Sequence, residues 1–325
     1  MKKVLILGKG RIGRAVAYYL KKLKVKAKID FFSDKKRIKN YNLLIGALPS
    51  SAGEVILKFA LKYKKDLIDV SDVDYPFYLK NRKHIENKGI LVFPGCGFSP
   101  GLTNLICGRE TKNNKVKEIE IKAGTLSPKE FIYPFTWCFE DIIEGHQYKP
   151  TLIRKGKKVH LFPFSGYQKE KIDGIQAESY FIEGLESMLK NIKVRNMSYR
   201  VLRPLGFFYL YKYLENYGFF KKENLTIVKK ILEGKREDNI TLGIIKIKTE
   251  NKDVFWKMKA FSKKNEKLNS MQKITAIFPV LLVKEILEGN IFQKGLIFPE
   301  ELGKDKVLFK KIISQIKKQI LLTRT

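Results

Sequence analysis

Through the first hundred positions, short apolar runs alternate with stretches of helical periodicity. Val4–Leu7 is apolar throughout, the pattern of a strand buried on both faces. Ile12, Ala15, Val16, Tyr19, Leu20 and Leu23 then recur at the spacing of one helix face. Ala27–Phe32, Leu43–Ala47, Leu67–Ser71 and Gly89–Phe93 read as further strands, with a helix opening near Ala52. The alternation predicts right-handed βαβ units and an α/β fold, a Rossmann doubly wound parallel sheet.

From Val116 the period changes from helical to two. Ile119 and Ile121 alternate with Glu118, Glu120 and Lys122, which reads as a half-buried strand. Leu152–Leu161 reads as a hairpin about Lys155-Gly156-Lys157, and Val194–Val201, Leu242–Thr249 and Phe255–Phe261 as strands. Helices are expected at Glu178–Leu189 and Pro204–Glu215. These elements predict a second α+β domain with an open mixed sheet. Met271–Leu287 and Lys306–Leu322 return to helical spacing; Pro279 predicts a kink or a helix start within the first. The second, a basic amphipathic helix, is expected to dock on the nucleotide domain rather than on a membrane. The expected organisation is a dinucleotide-binding domain over residues 1–107, completed by residues 270–325, around a substrate and dimerisation domain over residues 108–269.

One turn carries a specific chemical signal. Gly8, Gly10 and Gly13 form GxGxxG between a strand and a helix. The first glycine permits the tight turn, the second lets a pyrophosphate approach, and the third lets helix and strand pack closely. Arg11 and Ile12 open the helix, whose N-terminal amides and dipole favour phosphate. An acidic residue closing the second strand would hold the ribose of NAD. Here Asp34 suits NAD, whereas Ser33 with Lys35, Lys36 and Arg37 suits the 2′-phosphate of NADP; the balance tilts slightly to NADP. Ala47, Leu48 and Pro49, at the end of the third strand, lie where a dinucleotide should pass. Asp72 and Cys96 close the next two strands on the same edge and are candidate catalytic groups, with a small buried packing residue as the alternative for Cys96.

Charge and composition narrow the classes. With 325 residues the chain can bury two cores. Its formal charge is +32, but lysine is scattered through nearly every segment and outnumbers arginine, so no nucleic-acid partner is expected. No apolar stretch approaches a bilayer's thickness and no cleavable leader follows Met1, so a cytoplasmic protein without a membrane partner is expected. Three cysteines and three histidines show no zinc spacing, and no metal is expected.

GCGFSPGLTNLI (Gly95–Ile106) resembles the "G-x-x-PG-x-x-N/H" turn and helix of the saccharopine dehydrogenase family. Lys122–Leu126 resembles that family's "GG-L/I-P" strand, Tyr133–Cys138 its "PL-x-Y…WS" segment, and Pro150–Gly156 its "PA-x-x-x-x-G" hairpin. Glu178–Leu185 is similar to "EAF-x-T-x-GL", Tyr199–Gly206 to "Y-x-T-x-RY-x-G", and Gly289–Glu300 to "G-x-I-x-x-x-G-V-x-x-PE". The length and the segment from Trp137 to Gly184 most resemble the lysine 6-dehydrogenase type. The resemblance implies a homodimeric NAD- or NADP-dependent oxidoreductase acting on a C–N bond of an amino-acid substrate. It makes Arg203 the candidate for a substrate carboxylate, Glu178 a base or ammonium anchor, and Trp137 a pocket wall or a core residue. Ala123, Cys138, Ile182 and Pro204 depart from the motifs; a catalytically silent, nucleotide-bound regulatory protein is the alternative. His146 reads as a solvated loop residue, and the sequence offers no single convincing general base.

Overall fold

The computed structural model describes residues 1–325 except 72, 130, 131 and 234–236. The chain forms two units, the first comprising Met1–Asn113, Glu186–Ile192 and Ile274–Gln319. Its strands are β1 (Lys2–Leu7), β2 (Ala27–Phe31), β3 (Leu43–Gly46), β4 (Asp66–Asp69) and β5 (Leu91–Phe93). With the short strand Gly295–Leu296 they make a six-stranded sheet among the described residues. Every pairing in it is parallel, in the order 295–296, β5, β4, β3, β1, β2. Val4–Leu7 in β1 are almost wholly buried, as their unbroken apolar run requires. The chain passes from β1 to β2, then returns across β1 to β3 through a single 3₁₀ turn, Lys35–Asn40. That reversal makes the carboxyl ends of β1 and β3 the topological switch point, where ligands of open parallel sheets bind.

Helix α1 (Arg11–Lys22) follows β1 directly, with Ala15, Val16, Tyr19 and Leu20 buried as its spacing predicts. The helix Lys306–Lys317 buries Leu308, Phe309, Ile312, Ile313 and Ile316, and Asp305 caps it by accepting from the amides of Val307 and Leu308. It is shorter than its periodicity predicts: Leu321–Arg324 is a strand, antiparallel to Asp253–Ser262 of the second unit's sheet.

The second unit comprises Asn114–Leu185, Lys193–Lys273 and Ile320–Thr325. Its strands are β6 (Val116–Leu126), β7 (Thr151–Arg154), β8 (Lys157–His160), β9 (Gln168–Ile172), β10 (Ile175–Phe181), β11 (Asn196–Pro204), β12 (Asn239–Thr249) and β13 (Asp253–Ser262). The sheet order is 321–324, β13, β12, β6, β11, β10, β9, with β7 and β8 attached to β11. Only the β6–β11 pairing is parallel among the described residues, so the sheet is mixed, as predicted.

The helix expected at Glu178–Leu189 is absent; Glu178 lies in strand β10. Ala177–Tyr180 are buried on both faces of a central strand, which erases the alternation that would have marked it. Asp173-Gly174, both at positive φ, form the two-residue turn that pairs Ile172 with Ile175. Helix Ser270–Leu287 runs through Pro279 instead of starting near it. Pro100 precedes the helix Leu102–Thr111.

Candidate active site

The glycine turn separates into two roles. A methyl on Gly8, which sits at φ 126°, would lie 2.1 Å from the Ala47 carbonyl oxygen, and one on Gly13 would lie 2.0 Å from the Gly8 carbonyl oxygen. Both glycines are therefore required by the protein's own backbone. Gly10 is different. Its φ of −70° suits any residue, and a methyl there would meet nothing within 4 Å. Gly10 precedes α1, whose N-terminus has no side-chain cap and no acidic residue in its first turn. A bare helix N-terminus beside an open glycine fits a dinucleotide's pyrophosphate.

The rest of the switch point converges on this turn. Gly8 packs on Ala47, and the Leu48 amide donates to Ser71 Oγ at 3.1 Å, which ties the loop after β3 to the loop after β4. Pro49 precedes the helix Ser50–Tyr63. Beyond β2, the exposed Arg37 donates through Nη1 to Ser33 Oγ at 3.4 Å. Asp34 Oδ1 accepts from the Lys36 amide at 2.9 Å, capping the 3₁₀ turn.

At the carboxyl ends of β4 and β5 the first unit holds a cleft lined by Ser71, Tyr75, Tyr78, Pro94, Asn104 and Ser187. Behind it lies Asp69, fully buried, which accepts from the Ser71 amide at 2.9 Å and from the Tyr78 hydroxyl. A methyl on Gly46, its neighbour in β3, would lie 2.1 Å from Asp69 Oδ1, so Gly46 makes room for the carboxyl. Burial outweighs these hydrogen bonds and pushes the Asp69 carboxyl up to about 6. The equally buried Glu300 accepts from Asn104 at 3.2 Å and Asn191 at 2.7 Å; burial raises it too.

In the second unit, Arg203 and Glu178 face each other across β10 and β11. Arg203 is 7% exposed, its guanidinium 5.1 Å from the Tyr133 ring and 5.3 Å from Phe207. Nη1 donates to the Leu202 carbonyl at 3.3 Å, and Nε has no partner. Among the described residues no carboxylate forms an ion pair with it. A buried cation with an unmet donor is poised to accept an anion.

Glu178 is buried and engaged on both oxygens. Oε2 accepts from the Gly206 amide at 2.9 Å and the Tyr167 hydroxyl at 3.4 Å, and Oε1 accepts from the Phe208 amide. Burial raises it, against those hydrogen bonds and the charge of Arg203. Its carboxyl thus fixes the start of the helix Phe207–Asn216, four residues beyond Arg203.

His146 is buried, not a solvated loop residue. Its Nδ1 donates to the Ile142 carbonyl and its Nε2 accepts from the Tyr180 hydroxyl at 2.7 Å. Burial, then the charge of Arg203, lower its pKa from 6.5 to about 3. Its NMR shifts are expected to stay constant from pH 8 to about pH 5. Because the unfolded chain binds a proton that the folded one refuses, stability should fall as pH drops from 6.5 toward 3.

The family model "Saccharopine dehydrogenase C-terminal domain" matches residues 97–321, more than half the chain. The chain belongs to the saccharopine dehydrogenase family. Its fold is similar to apo saccharopine dehydrogenase (L-Glu forming) from Saccharomyces cerevisiae, with a TM-score of 0.78 at 14% identity over 100% of this chain and 99% of that one. Diaminopimelate (DAP) dehydrogenase from C. glutamicum, in complex with DAP, aligns at a TM-score of 0.47 and 11% identity, covering 96% of this chain and 98% of that one. No curated protein matches the sequence.

Within this family member the candidate residues fall into separate groups. Gly8, Gly10, Arg11, Ile12 and Gly13 follow β1 and Ala47, Leu48 and Pro49 follow β3, with Gly8 against Ala47 and Leu48; Ser33, Asp34 and Arg37 follow β2. Glu178 and Arg203 share the second unit, where the half-buried Trp137 packs on the same aromatic cluster as Phe139, Tyr180 and Phe207. Cys96 lies fully buried near Asp69, and burial, then the charges of Asp69 and Glu300, raise its thiol well above the ordinary range. Asp72 lies outside the described residues. The sequence does not single out Asp69, Tyr78 or Glu300. Asp69 is three residues before Asp72 on a strand already recognised, and Glu300 ends a recognised motif, but neither signals burial in sequence.

Proposed function

We propose that the chain is an NAD- or NADP-dependent oxidoreductase acting on a C–N bond of an amino-acid substrate, of the saccharopine dehydrogenase or lysine 6-dehydrogenase kind. The observation that carries this reading is Gly10, a glycine that neither its own φ nor any neighbouring atom demands. A ligand's close approach accounts for it. The Gly8–Gly13 turn and the amides of Arg11 and Ile12 would hold the pyrophosphate, with Ala47–Pro49 alongside. Ser33 and Arg37 suit a 2′-phosphate, and Asp34 already spends one oxygen on its turn, so NADP is favoured. Comparing KM for the two cofactors tests this preference.

Bound nicotinamide supplies hydride exchange; the chain's residues supply the rest. Arg203 binds the substrate carboxylate and Trp137 walls the substrate. Glu178 positions the Arg203 loop rather than taking a proton, since its oxygens are engaged. The thiol of Cys96 is too strongly held to act as a thiolate, so Cys96 packs beneath the cleft. Asp72 remains a candidate by its place after β4.

Oxidation of an amine requires its nitrogen to lose a proton, so a base of suitable pKa is needed. Asp69 and Tyr78 fit this task. Within the first unit, Tyr78 lines the cleft and donates to Asp69, so the pair is a proton relay open to that cleft. For amine oxidation, kcat/KM should therefore rise through about pH 6 as Asp69 ionises. Asp69→Asn should remove that limb and slow turnover by about 100-fold or more, while leaving cofactor affinity intact. A retained limb in Asp69→Asn would assign the base elsewhere. Sedimentation at micromolar concentration checks the homodimer we propose with this activity.

A further inference from the structure

Inside the second unit, Thr136, Thr125, Thr241, Ser270 and Asn239 form a chain of side-chain hydrogen bonds, and none of them is more than 5% exposed. Thr136 Oγ donates to Thr125 Oγ at 3.1 Å. Thr125 Oγ and Thr241 Oγ pair at 2.9 Å, and Thr241 Oγ and Ser270 Oγ at 2.8 Å. Ser270 Oγ then donates to Asn239 Oδ1 at 2.6 Å.

The sense of this chain is fixed at its far end. The Ser270 amide, which can only donate, meets Asn239 Oδ1 at 2.8 Å, and Asn239 Nδ2 donates to the Glu237 carbonyl at 2.8 Å. Asn239 therefore presents its oxygen, and the single hydroxyl proton of Ser270 goes to it. Ser270 is left to accept from Thr241. By the same count Thr241 accepts from Thr125, and Thr125 from Thr136. Thr136 has then given its one proton, and among the described residues nothing donates to its oxygen. A buried acceptor is rarely left unmet.

The open end lies beside Arg203. Glu178 pairs with Arg203 across β10 and β11, and Thr125 with Thr241 across β6 and β12. Leu202 pairs with Gly124 in the parallel β6–β11 ladder. The next residues, Arg203 and Thr125, are thus neighbours on one sheet face, at a strand spacing of about 5 Å. The segment 133–137 crosses both. Its Tyr133 ring lies 5.1 Å from the Arg203 guanidinium, and its Thr136 sits on Thr125. A cation with an unmet Nε and an acceptor without a donor therefore belong to one row. Glu178, in the same row, is engaged on both oxygens by the Gly206 and Phe208 amides. A carboxylate and an N–H on adjacent atoms of one ligand answer both needs.

We infer that Thr136 Oγ accepts from a nitrogen on the carbon that bears the Arg203-bound carboxylate, and that Thr125, Thr241, Ser270 and Asn239 hold it in that accepting state. This rests on the proposed carboxylate role of Arg203. Thr136 would touch the ligand; Thr241, two hydrogen bonds away, is a positioning residue. An analogue without the nitrogen leaves Thr136 unmet, the kind of loss that polar sites punish most.

Calorimetric titration of the full-length protein tests this, with NADPH present so that no amine is oxidised. The probes are L-lysine against 6-aminohexanoate and L-glutamate against glutarate, pairs that differ in the α-nitrogen. At least one amino acid should bind about tenfold more tightly than its partner. Thr136→Val should shrink that ratio to about threefold or less, with the analogue's own affinity close to the parent's. Thr241→Val should shrink it too, because Thr125 is then free to turn its proton back to Thr136, and Thr241→Ser should restore it. A parent indifferent to the nitrogen overturns the inference, as does a Thr136→Val or Thr241→Val variant that keeps the full preference. The α-amides, L-lysinamide and L-isoglutamine, separate the two readings. If the acid outbinds its amide while the nitrogen makes no difference, Arg203 holds a carboxylate and Thr136 has no part. If acid and amide bind alike, the Arg203 reading itself fails and the inference falls with it.

Discussion

Gly10→Ala is expected to fold like the parent and to lose the cofactor. The backbone there, at φ −70° and ψ −166°, accepts alanine without strain, and the added methyl meets no protein atom within 4 Å. Alanine is the poorer N-cap, which costs a few tenths of a kcal/mol and so about 1–2 °C of thermal midpoint. Where a pyrophosphate must touch the backbone, the same methyl displaces it, and affinity for NADPH should fall at least ~10-fold. Gly8→Ala and Gly13→Ala should behave oppositely. Their methyls would enter the Ala47 and Gly8 carbonyls at 2.1 Å and 2.0 Å. Unfolding free energy itself should then drop by about 2–4 kcal/mol. Thermal melts beside a reduced-nicotinamide fluorescence titration separate the two outcomes. Equal cofactor affinity in Gly10→Ala and parent would remove the main support for a dinucleotide at this turn.

Arg203→Lys is expected to raise substrate KM by roughly 100-fold, about 2.8 kcal/mol, with a smaller effect on kcat. Charge is kept; the flat fork that grips a carboxylate on two atoms is lost. The guanidinium lies against Tyr133 and Phe207, an arrangement an ammonium fills poorly. Cofactor affinity should not change, because the Gly8–Gly13 turn is untouched and the charge at residue 203 is kept. Steady-state kinetics with the substrate carboxylate present and with its amide check the role. If Arg203→Lys penalises the carboxylate and the amide equally, Arg203 does not bind that group.

Much of this was legible in the chain. Val4–Leu7 and the GxGxxG turn declare strand, turn and helix because local packing alone fixes them. The separate glycine roles were also legible in kind, although only the atoms around Ala47 show that Gly8 and Gly13 serve the backbone and Gly10 does not. β10 does not announce itself as a strand because a strand covered on both faces has no period-two signal; Asp173-Gly174 is the local cue to it. The polar interior was the least legible. Asp69, Glu300 and His146 acquire their character from burial and from partners distant in sequence, such as Gly46, Asn191 and Tyr180. Nor does the sequence show that Glu178 accepts from the Gly206 and Phe208 amides with its two oxygens.

The most direct test of the account is an absorbance screen with both reduced and oxidised nicotinamide cofactors against amines, amino acids and 2-oxo acids. Turnover is predicted for at least one amino acid or amine–oxo-acid pair that carries a carboxylate, and it should be lost or strongly weakened in Gly10→Ala. Cofactor binding with no turnover on any such pair would contradict the proposed oxidoreductase.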